Sequence, residues 1–212
     1  MGLQKRVEHQ DSRSEMVSLA MGVLNLPRPI DRVEAFLTFP GEGESWRLTQ
    51  PIDQWNNEKP SARFFLIAGH NTREITSETL DLTRLQRDPY NLRRLRGVHI
   101  RHHAEHSKEQ TEWASEKIEE LCIRSVALFV SPYHLLRIYL TLLKSLILHG
   151  KDKEVQIIPA PIQISLTEVS PENSVAMWDL VPGEVNRIEK YQATGDVATL
   201  PERSSAIAPT VS

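Results

Sequence analysis

Apolar residues occur along the chain in two patterns. Short uninterrupted runs, such as Val126 to Val130, are rich in β-branched and aromatic residues and are typical of strands buried on both faces. Longer stretches repeat apolar residues every three or four positions, as amphipathic helices do. The runs predict strands at residues 33–39, 63–68, 98–101, 126–130 and 155–158.

Helical periodicity fills most of the intervals between these strands. It predicts helices at residues 11–25, 45–57, 108–121, 132–148 and 182–194. Strands that alternate with helices form βαβ units, whose crossovers are right-handed. The predicted fold is therefore α/β, with a doubly wound, mostly parallel sheet of about five strands and flanking helices.

Residues 73–96 interrupt this alternation. They are highly charged and only weakly periodic, and Asp88-Pro89 is predicted to divide them into two short helices. We expect this segment to cover a pocket. The predicted organisation is a helical extension at residues 1–30, one domain at 31–194, and a disordered tail at 195–212 that is rich in Ala, Ser, Pro and Thr.

The turn between the fourth strand and its helix combines polar groups with a helix start. Ser131 is predicted as the N-cap and Pro132 as the first helical residue, which places His134 at the third position and Arg137 one turn further on. Free N–H groups and the helix dipole make such a terminus attractive to anions. Alternatively, Arg137 pairs with a nearby carboxylate and His134 caps a loop carbonyl.

Other polar loops are predicted at the same edge of the sheet, at residues 40–47, 69–74 and 102–110. Open α/β sheets bind ligands at the carboxyl ends of their strands. Gly69 would allow the backbone to come close to another group, and His70 and Asn71 follow it with polar side chains.

Three histidines, His102, His103 and His106, lie in the last of these loops. The spacing of His102 and His106 permits a metal hydrolase hypothesis. Ser107 and Gln110, however, form a predicted capping box that places the histidines before the helix. The sequence therefore favours a polar active-site loop without metal, in which Glu105 is an acid/base or ligand partner.

Composition and charge exclude several classes of protein. The net charge of −3 argues against a nucleic-acid-binding surface, and the short basic stretch at residues 93–96 is interpreted as a solvated helix face. The longest apolar region is interrupted by Pro132, His134, Arg137 and Lys144, so no membrane segment is expected. With one cysteine and no apolar leader behind Met1, we expect a cytoplasmic protein.

A family resemblance rests on the strand–turn–helix segment and the polar loop before it. The residues that carry it are Arg47, Ile67 to His70, Glu105, Ser107 to Thr111, the Ser-x-x-His-x-x-Arg turn at Ser131 to Arg137, and Ile158 to Pro161. Over roughly residues 33–162 the chain resembles the bacterial YdcF-like family. The resemblance implies a Rossmann-like fold and a polar pocket at the carboxyl edge of the sheet.

Two functions follow as hypotheses. The first is a small-molecule enzyme, a transferase or hydrolase, that acts on a nucleotide-like or phosphorylated substrate. The second is a non-catalytic module for an adenosyl-type ligand such as S-adenosylmethionine, which the family resemblance suggests. The predicted catalytic residues are His134 and Glu105, and the predicted ligand-binding residues are Arg47, Gly69, His70, Asn71, Ser107, Thr111, Ser131, Tyr133 and Arg137. The cofactor is not determined, the expected partner is an anionic small molecule, and an oligomer is possible.

Overall fold

A computed structural model of the chain describes residues 18–26, 29–41, 43–69, 80–104, 106–171, 173–199 and 202. The strands are β1 (Ala35–Thr38), β2 (Phe64–Ile67), β3 (Val98–Ile100), β4 (Ser125–Val130), β5 (Gln156–Pro161), β6 (Val169–Ser170) and β7 (Val175–Ala176). The helices are α1 (18–24 in the described part), α2 (Trp46–Asn56), α3 (Leu82–Leu85), α4 (Ser107–Glu120), α5 (Leu135–Leu148) and α6 (Met177–Thr194).

Five of the strands form one parallel sheet in the order β3-β2-β1-β4-β5. This arrangement confirms the predicted α/β fold, and it is Rossmann-like in strand order. The chain builds outward from β1 in one direction and then resumes at β4 on the other side of β1. The topological switch point therefore lies between β1 and β4, where the loops after these two strands separate.

The two faces of the sheet are covered by different helices, because successive strand residues point to opposite faces. Ala35 and Leu37 face a large apolar core that includes residues of α1, α4, α5 and α6. Phe36 faces a second core with α2, where its ring contacts Trp55, Phe65 and Phe129. No helix among the described residues is both long and apolar enough to cross a bilayer.

The helix after β4 begins later than predicted. Residues 131–134 form a separate turn closed by the His134 N–H and the Ser131 carbonyl at 2.9 Å, and α5 starts at Leu135. Ser131 is not its N-cap, because the Ser131 hydroxyl bonds to other side chains. His134 is the N-cap residue instead, and its side chain makes no capping hydrogen bond.

Helix α4 also begins differently. The predicted capping box is wrong: Ser107 is the first helical residue, and the N-cap is His106, whose Nδ1 accepts the Glu109 N–H at 3.2 Å. Histidine can replace serine here because a neutral imidazole carries one unprotonated nitrogen that can accept a hydrogen bond. This frees the Ser107 hydroxyl for a partner outside its own helix.

Strand β5 continues through Pro159 and Pro161, where the sequence predicts its end. Among the described strands, β5 lies at the edge of the sheet and pairs only with β4. Gln156 and Ile162 donate their N–H groups toward β4, so the odd-numbered prolines place their nitrogens on the open side, where no donor is needed.

The last helix begins at Met177 rather than at Pro182. Its first N–H groups are satisfied by the preceding loop, since Met177 donates to the Glu168 carbonyl at 3.0 Å and Trp178 to the Leu166 carbonyl at 2.9 Å. The small β6–β7 hairpin that holds this loop has no counterpart among the predicted elements.

Two charged or polar segments are better packed than their composition indicates. Of the described residues 80–96, only Leu82–Leu85 is helical, and Leu85 and Leu92 are buried in the second core. Where a disordered tail is predicted, Val197 and Ala198 are buried, and the Ala198 N–H donates to the Leu140 carbonyl. Short apolar pairs inside polar stretches are enough to fix such segments on a core.

Candidate functional site

A cavity of about 450 Å³ lies at the carboxyl edge of the sheet, at the switch point. Its wall carries three basic side chains, from Arg47, Lys108 and Arg137. The imidazoles of His106 and His134 also contribute to it. A largely apolar side is formed by Phe39, Ala104, Ile138, Tyr191 and Val197.

The first turns of three helices reach this wall. Arg47 belongs to the first turn of α2, Ser107 and Lys108 to that of α4, and Arg137 to that of α5. Parallel βαβ units place the amino ends of the helices beside the carboxyl ends of the strands. The backbone therefore adds positive potential to that of the basic side chains.

Arg47 is fixed by a buried acid. Glu44 forms an ion pair with the Arg47 guanidinium. The two residues are only 1% and 3% exposed. The Thr38 hydroxyl at the end of β1 donates to the Arg47 carbonyl at 2.6 Å. A Cβ atom at Gly41 would lie 2.6 Å from Arg47 Nη1, so the glycine makes room for the guanidinium.

The Glu44 carboxylate accepts hydrogen bonds from hydroxyl groups in distant parts of the chain. Ser131 donates to Oε2 at 2.9 Å, and Tyr133 and Ser170 donate to Oε1 at 2.8 and 2.9 Å. The same Ser131 and Tyr133 oxygens accept N–H groups of Arg47 at 3.0 and 2.7 Å. Such satisfaction is what allows a carboxylate to remain charged out of water.

A second buried acid fixes Arg137. Glu184 on α6 is 0% exposed, and its Oε2 accepts the Arg137 Nε–H at 2.6 Å while Oε1 accepts from Arg187 at 2.6 Å. Arg137 Nη1 donates to Ser107 Oγ at 3.2 Å, and Nη2 donates to His134 Nε2 at 2.8 Å. Each terminal nitrogen carries a second N–H beyond these contacts.

His134 is held as a neutral imidazole. Burial lowers its pKa well below the ordinary value of 6.5, and the charges of Arg137, Arg47 and Arg187 lower it further. Because arginine can only donate, Nε2 of His134 is the acceptor and Nδ1 carries the proton. His134 therefore differs from an ordinary histidine, which titrates near neutrality.

Four of the predicted site residues line the cavity, namely Arg47, Ser107, His134 and Arg137. Ser131 and Tyr133 lie behind the wall, where they support Glu44. Thr111 is buried and donates to the Lys108 carbonyl within its own helix. Three further predicted residues, Glu105, His70 and Asn71, lie outside the described residues.

Gly69 approaches protein backbone rather than the cavity. It has a φ of +73°, and a Cβ atom there would lie 2.5 Å from the Arg101 carbonyl oxygen. Its own carbonyl accepts an N–H of Gln110 at 2.6 Å. The glycine therefore joins the end of β2 to the loop after β3. The described residues 80–96, where we expect a cover, do not contribute to the cavity wall.

Hydrogen bonds stabilise the histidine loop, and two of the histidine rings each use one nitrogen in them. His102 Nδ1 donates to the Leu80 carbonyl at 3.1 Å, and His106 Nδ1 caps α4. Arg101 spans the loop, since Nε donates to the His103 carbonyl at 2.7 Å and Nη2 pairs with Glu109. Within the described ranges, no group of three His, Cys, Asp or Glu side chains could hold a metal ion.

Sequence reasoning missed the two buried acids, and it also missed Lys108 and Asp196 on the cavity wall. Glu44 stands three positions before Arg47, a spacing that permits an ion pair and could have indicated it. Glu184 is separated from Arg137 by 47 positions and belongs to no local pattern, so only the tertiary structure reveals it. Lys108 and Asp196, which pair at 2.7 Å on the rim, are similarly distant.

Comparison of the chain with protein-family models, with curated proteins and with solved structures finds no match in any of the three. The resemblance to the YdcF-like family stays an expectation from the sequence.

The Glu44 pair leads to a prediction for stability. Glu44→Gln removes the charge that balances buried Arg47, so the free energy of unfolding should fall by about 3 kcal/mol or more. Urea unfolding measures this change. Glu58→Gln is the matched control, because Glu58 is exposed and 4.0 Å from Arg94, and its loss should cost less than about 0.5 kcal/mol. Equal effects of the two variants would contradict the assignment.

The neutral state of His134 leads to a prediction for pH dependence. The unfolded chain binds a proton near 6.5 and the folded chain does not, so stability from this group is present above that pH and is lost as the pH falls. One such group gives a slope of up to about 1.4 kcal/mol per pH unit. Between about pH 6.5 and 5.5, the unfolding free energy of His134→Gln should therefore change less with pH than that of the wild type. Parallel curves for the two proteins would exclude a depressed pKa.

Proposed function

We propose that the protein binds a small anionic molecule, phosphorylated or nucleotide-like, in the switch-point cavity. One observation carries this proposal: the first turns of α2, α4 and α5 and the side chains of Arg47, Lys108 and Arg137 meet around one cavity. Arginine and helix amino termini are both suited to phosphate oxygens, since each offers N–H donors in fixed directions.

The buried acids hold the arginines of this site in fixed orientations. Glu44 and Glu184 are 1% and 0% exposed and pair with the arginines from behind, while the arginines themselves line the cavity. A ligand anion would therefore meet guanidinium groups that are already oriented, and binding would cost little side-chain entropy. Among the described residues of the wall, Asp196 is the one acid, and it is paired with Lys108.

The remaining wall fits the rest of a small ligand. Phe39, Ile138, Tyr191 and Val197 give it an apolar side, and a volume of about 450 Å³ lies within the usual range for small-molecule pockets. Arg47, Arg137 and Lys108 are each paired with an acid, so the preference is set by the N–H donors of the wall rather than by an excess of positive charge. Such donors suit the oxygens of a phosphorylated ligand better than the positive sulfonium of S-adenosylmethionine. An adenosyl-type ligand with a phosphate would use both sides of the cavity.

A catalytic role is the second candidate, and His134 is the observation that favours it. Strongly shifted pKa values cluster at active sites, and this imidazole lines the ligand cavity in a fixed tautomer. In that tautomer Nδ1–H can donate a hydrogen bond to a reacting oxygen. Nε2 could accept a proton only after its contact with Arg137 opened. Glu105, outside the described residues, is the other candidate for proton transfer.

Binding of adenosine 5′-monophosphate and of adenosine tests the proposal, since the two differ only in the phosphate. We expect the phosphorylated compound to bind at least about tenfold more tightly, because a charge-assisted hydrogen bond contributes about 1.5–3 kcal/mol. Arg137→Gln and Lys108→Gln should remove most of this difference. Isothermal titration calorimetry measures both affinities.

Arg87→Gln is the control for this experiment, because Arg87 is exposed and is not among the residues that line the cavity. It makes the same change in net charge and should leave the difference intact. If adenosine binds as tightly as its phosphate, or if all three variants behave alike, the anion site is excluded. Product formation that His134→Ala abolishes, with affinity kept within about tenfold, would favour the enzyme over the binding module.

A further inference from the structure

A second cavity, of about 470 Å³, lies at the opposite edge of the sheet. It is formed by residues just before β1 and β2 and just after α4, so it opens at the amino ends of the strands. Its wall contains three arginines, Arg32, Arg63 and Arg94, and one acid, Glu34. The acid is engaged, because its Oε2 accepts the backbone N–H of Arg124.

Two of these arginines are held in place by aromatic rings. The Arg94 guanidinium lies 3.9 Å from the ring centroid of Trp55, and its Nη2 donates to the Ala62 carbonyl at 2.9 Å. The Arg63 guanidinium lies 4.8 Å from the ring centroid of Phe64. Stacking uses the faces of the guanidinium groups. The edge of Arg94 is used in part by Ala62 and lies 4.0 Å from Glu58, and the remaining N–H groups of the two arginines can bond to an oxyanion.

The backbone does not supply the positive charge at this edge. The carboxyl ends of α2 and α4 lie here, at Asn56 and Glu120, and helix dipoles make such ends negative. The arginines alone would attract an anion. Alternatively, the arginines lie here only because their positive charge offsets the negative carboxyl ends of the two helices. The two explanations make different predictions.

We propose that Arg32, Arg63 and Arg94 form a second anion site, for a small oxyanion with at least two negative charges, either a phosphate or a polycarboxylate. The site is independent of the proposed function of the switch-point cavity. Planar guanidinium groups bind the oxygens of either class in pairs. A cavity of this size admits a small molecule, whereas an extended polymer would need a groove.

Cys122 provides a local probe of this site. It is the only cysteine of the chain, it is exposed, and it belongs to the cavity wall. Its alkylation rate can be measured with iodoacetate, which is anionic, and with iodoacetamide, which is neutral. The ratio of the two rates reports the local potential, because a change in the thiolate fraction affects both reagents equally.

The test compares the wild type with Arg32→Gln and Arg63→Gln at low ionic strength. Each variant should lower the iodoacetate-to-iodoacetamide ratio about twofold, because it removes one of the positive charges from the wall to which Cys122 belongs. Arg87→Gln, an exposed arginine outside this wall, should leave the ratio unchanged. Arg94 is left intact, because its stacking on Trp55 supports the fold.

Inorganic pyrophosphate and citrate then test occupancy. At an anion concentration about ten times the dissociation constant, alkylation of Cys122 by iodoacetamide should be about tenfold slower in the wild type. The Arg32→Gln/Arg63→Gln double variant should be protected much less. Protection by pyrophosphate alone assigns the site to phosphates, and protection by citrate alone assigns it to carboxylates. Unchanged rate ratios, equal protection in the double variant, or no protection by either anion would overturn the proposal. If the arginines only balance the helix ends, their replacement should lower the melting temperature. Neither anion should then protect Cys122 of the wild type from alkylation.

Discussion

The constraint on which the site depends is the burial of two carboxylates. Glu44 and Glu184 are almost completely removed from water, which would be very costly for a charged group without partners. Each is compensated by arginine, and Glu44 by three hydroxyl groups as well. These contacts join the loop after β1, the turn after β4, the β6–β7 hairpin and α6. The acids therefore fix segments that are distant in sequence around one cavity.

This arrangement determines what the cavity can do. Arg47 and Arg137 line the cavity, whereas the acids that hold them in place do not. Arg137 also fixes the tautomer of His134, and burial together with the charges of Arg137 and the other arginines keeps the pKa of His134 low. A site of this kind is suited to binding and orienting an anion first. Proton transfer by His134 would require Arg137 to move from Nε2.

Much of the fold follows from local pattern, whereas the site follows only in part. The five strands of the sheet and most helices coincide with apolar runs and helical periodicity, since buried parallel strands and amphipathic helices leave strong local signals. Ser131 and His106 show where local pattern fails to predict a helix cap. Whether a polar residue caps a helix depends on which other groups compete for its side chain, as Glu44 and Arg47 do for Ser131. Glu184 could not be identified, because nothing in the sequence near it points to Arg137.

Fixed guanidinium groups at the switch point are proposed to form an oxyanion site. Crystals soaked in selenate test it directly, because the anomalous signal of selenium locates the anion. We expect an anomalous peak within hydrogen-bonding distance of Arg137, at the first turns of α4 and α5, and its loss in Arg137→Gln crystals. A well-ordered cavity without a peak, or a peak that persists in the variant, would contradict the account.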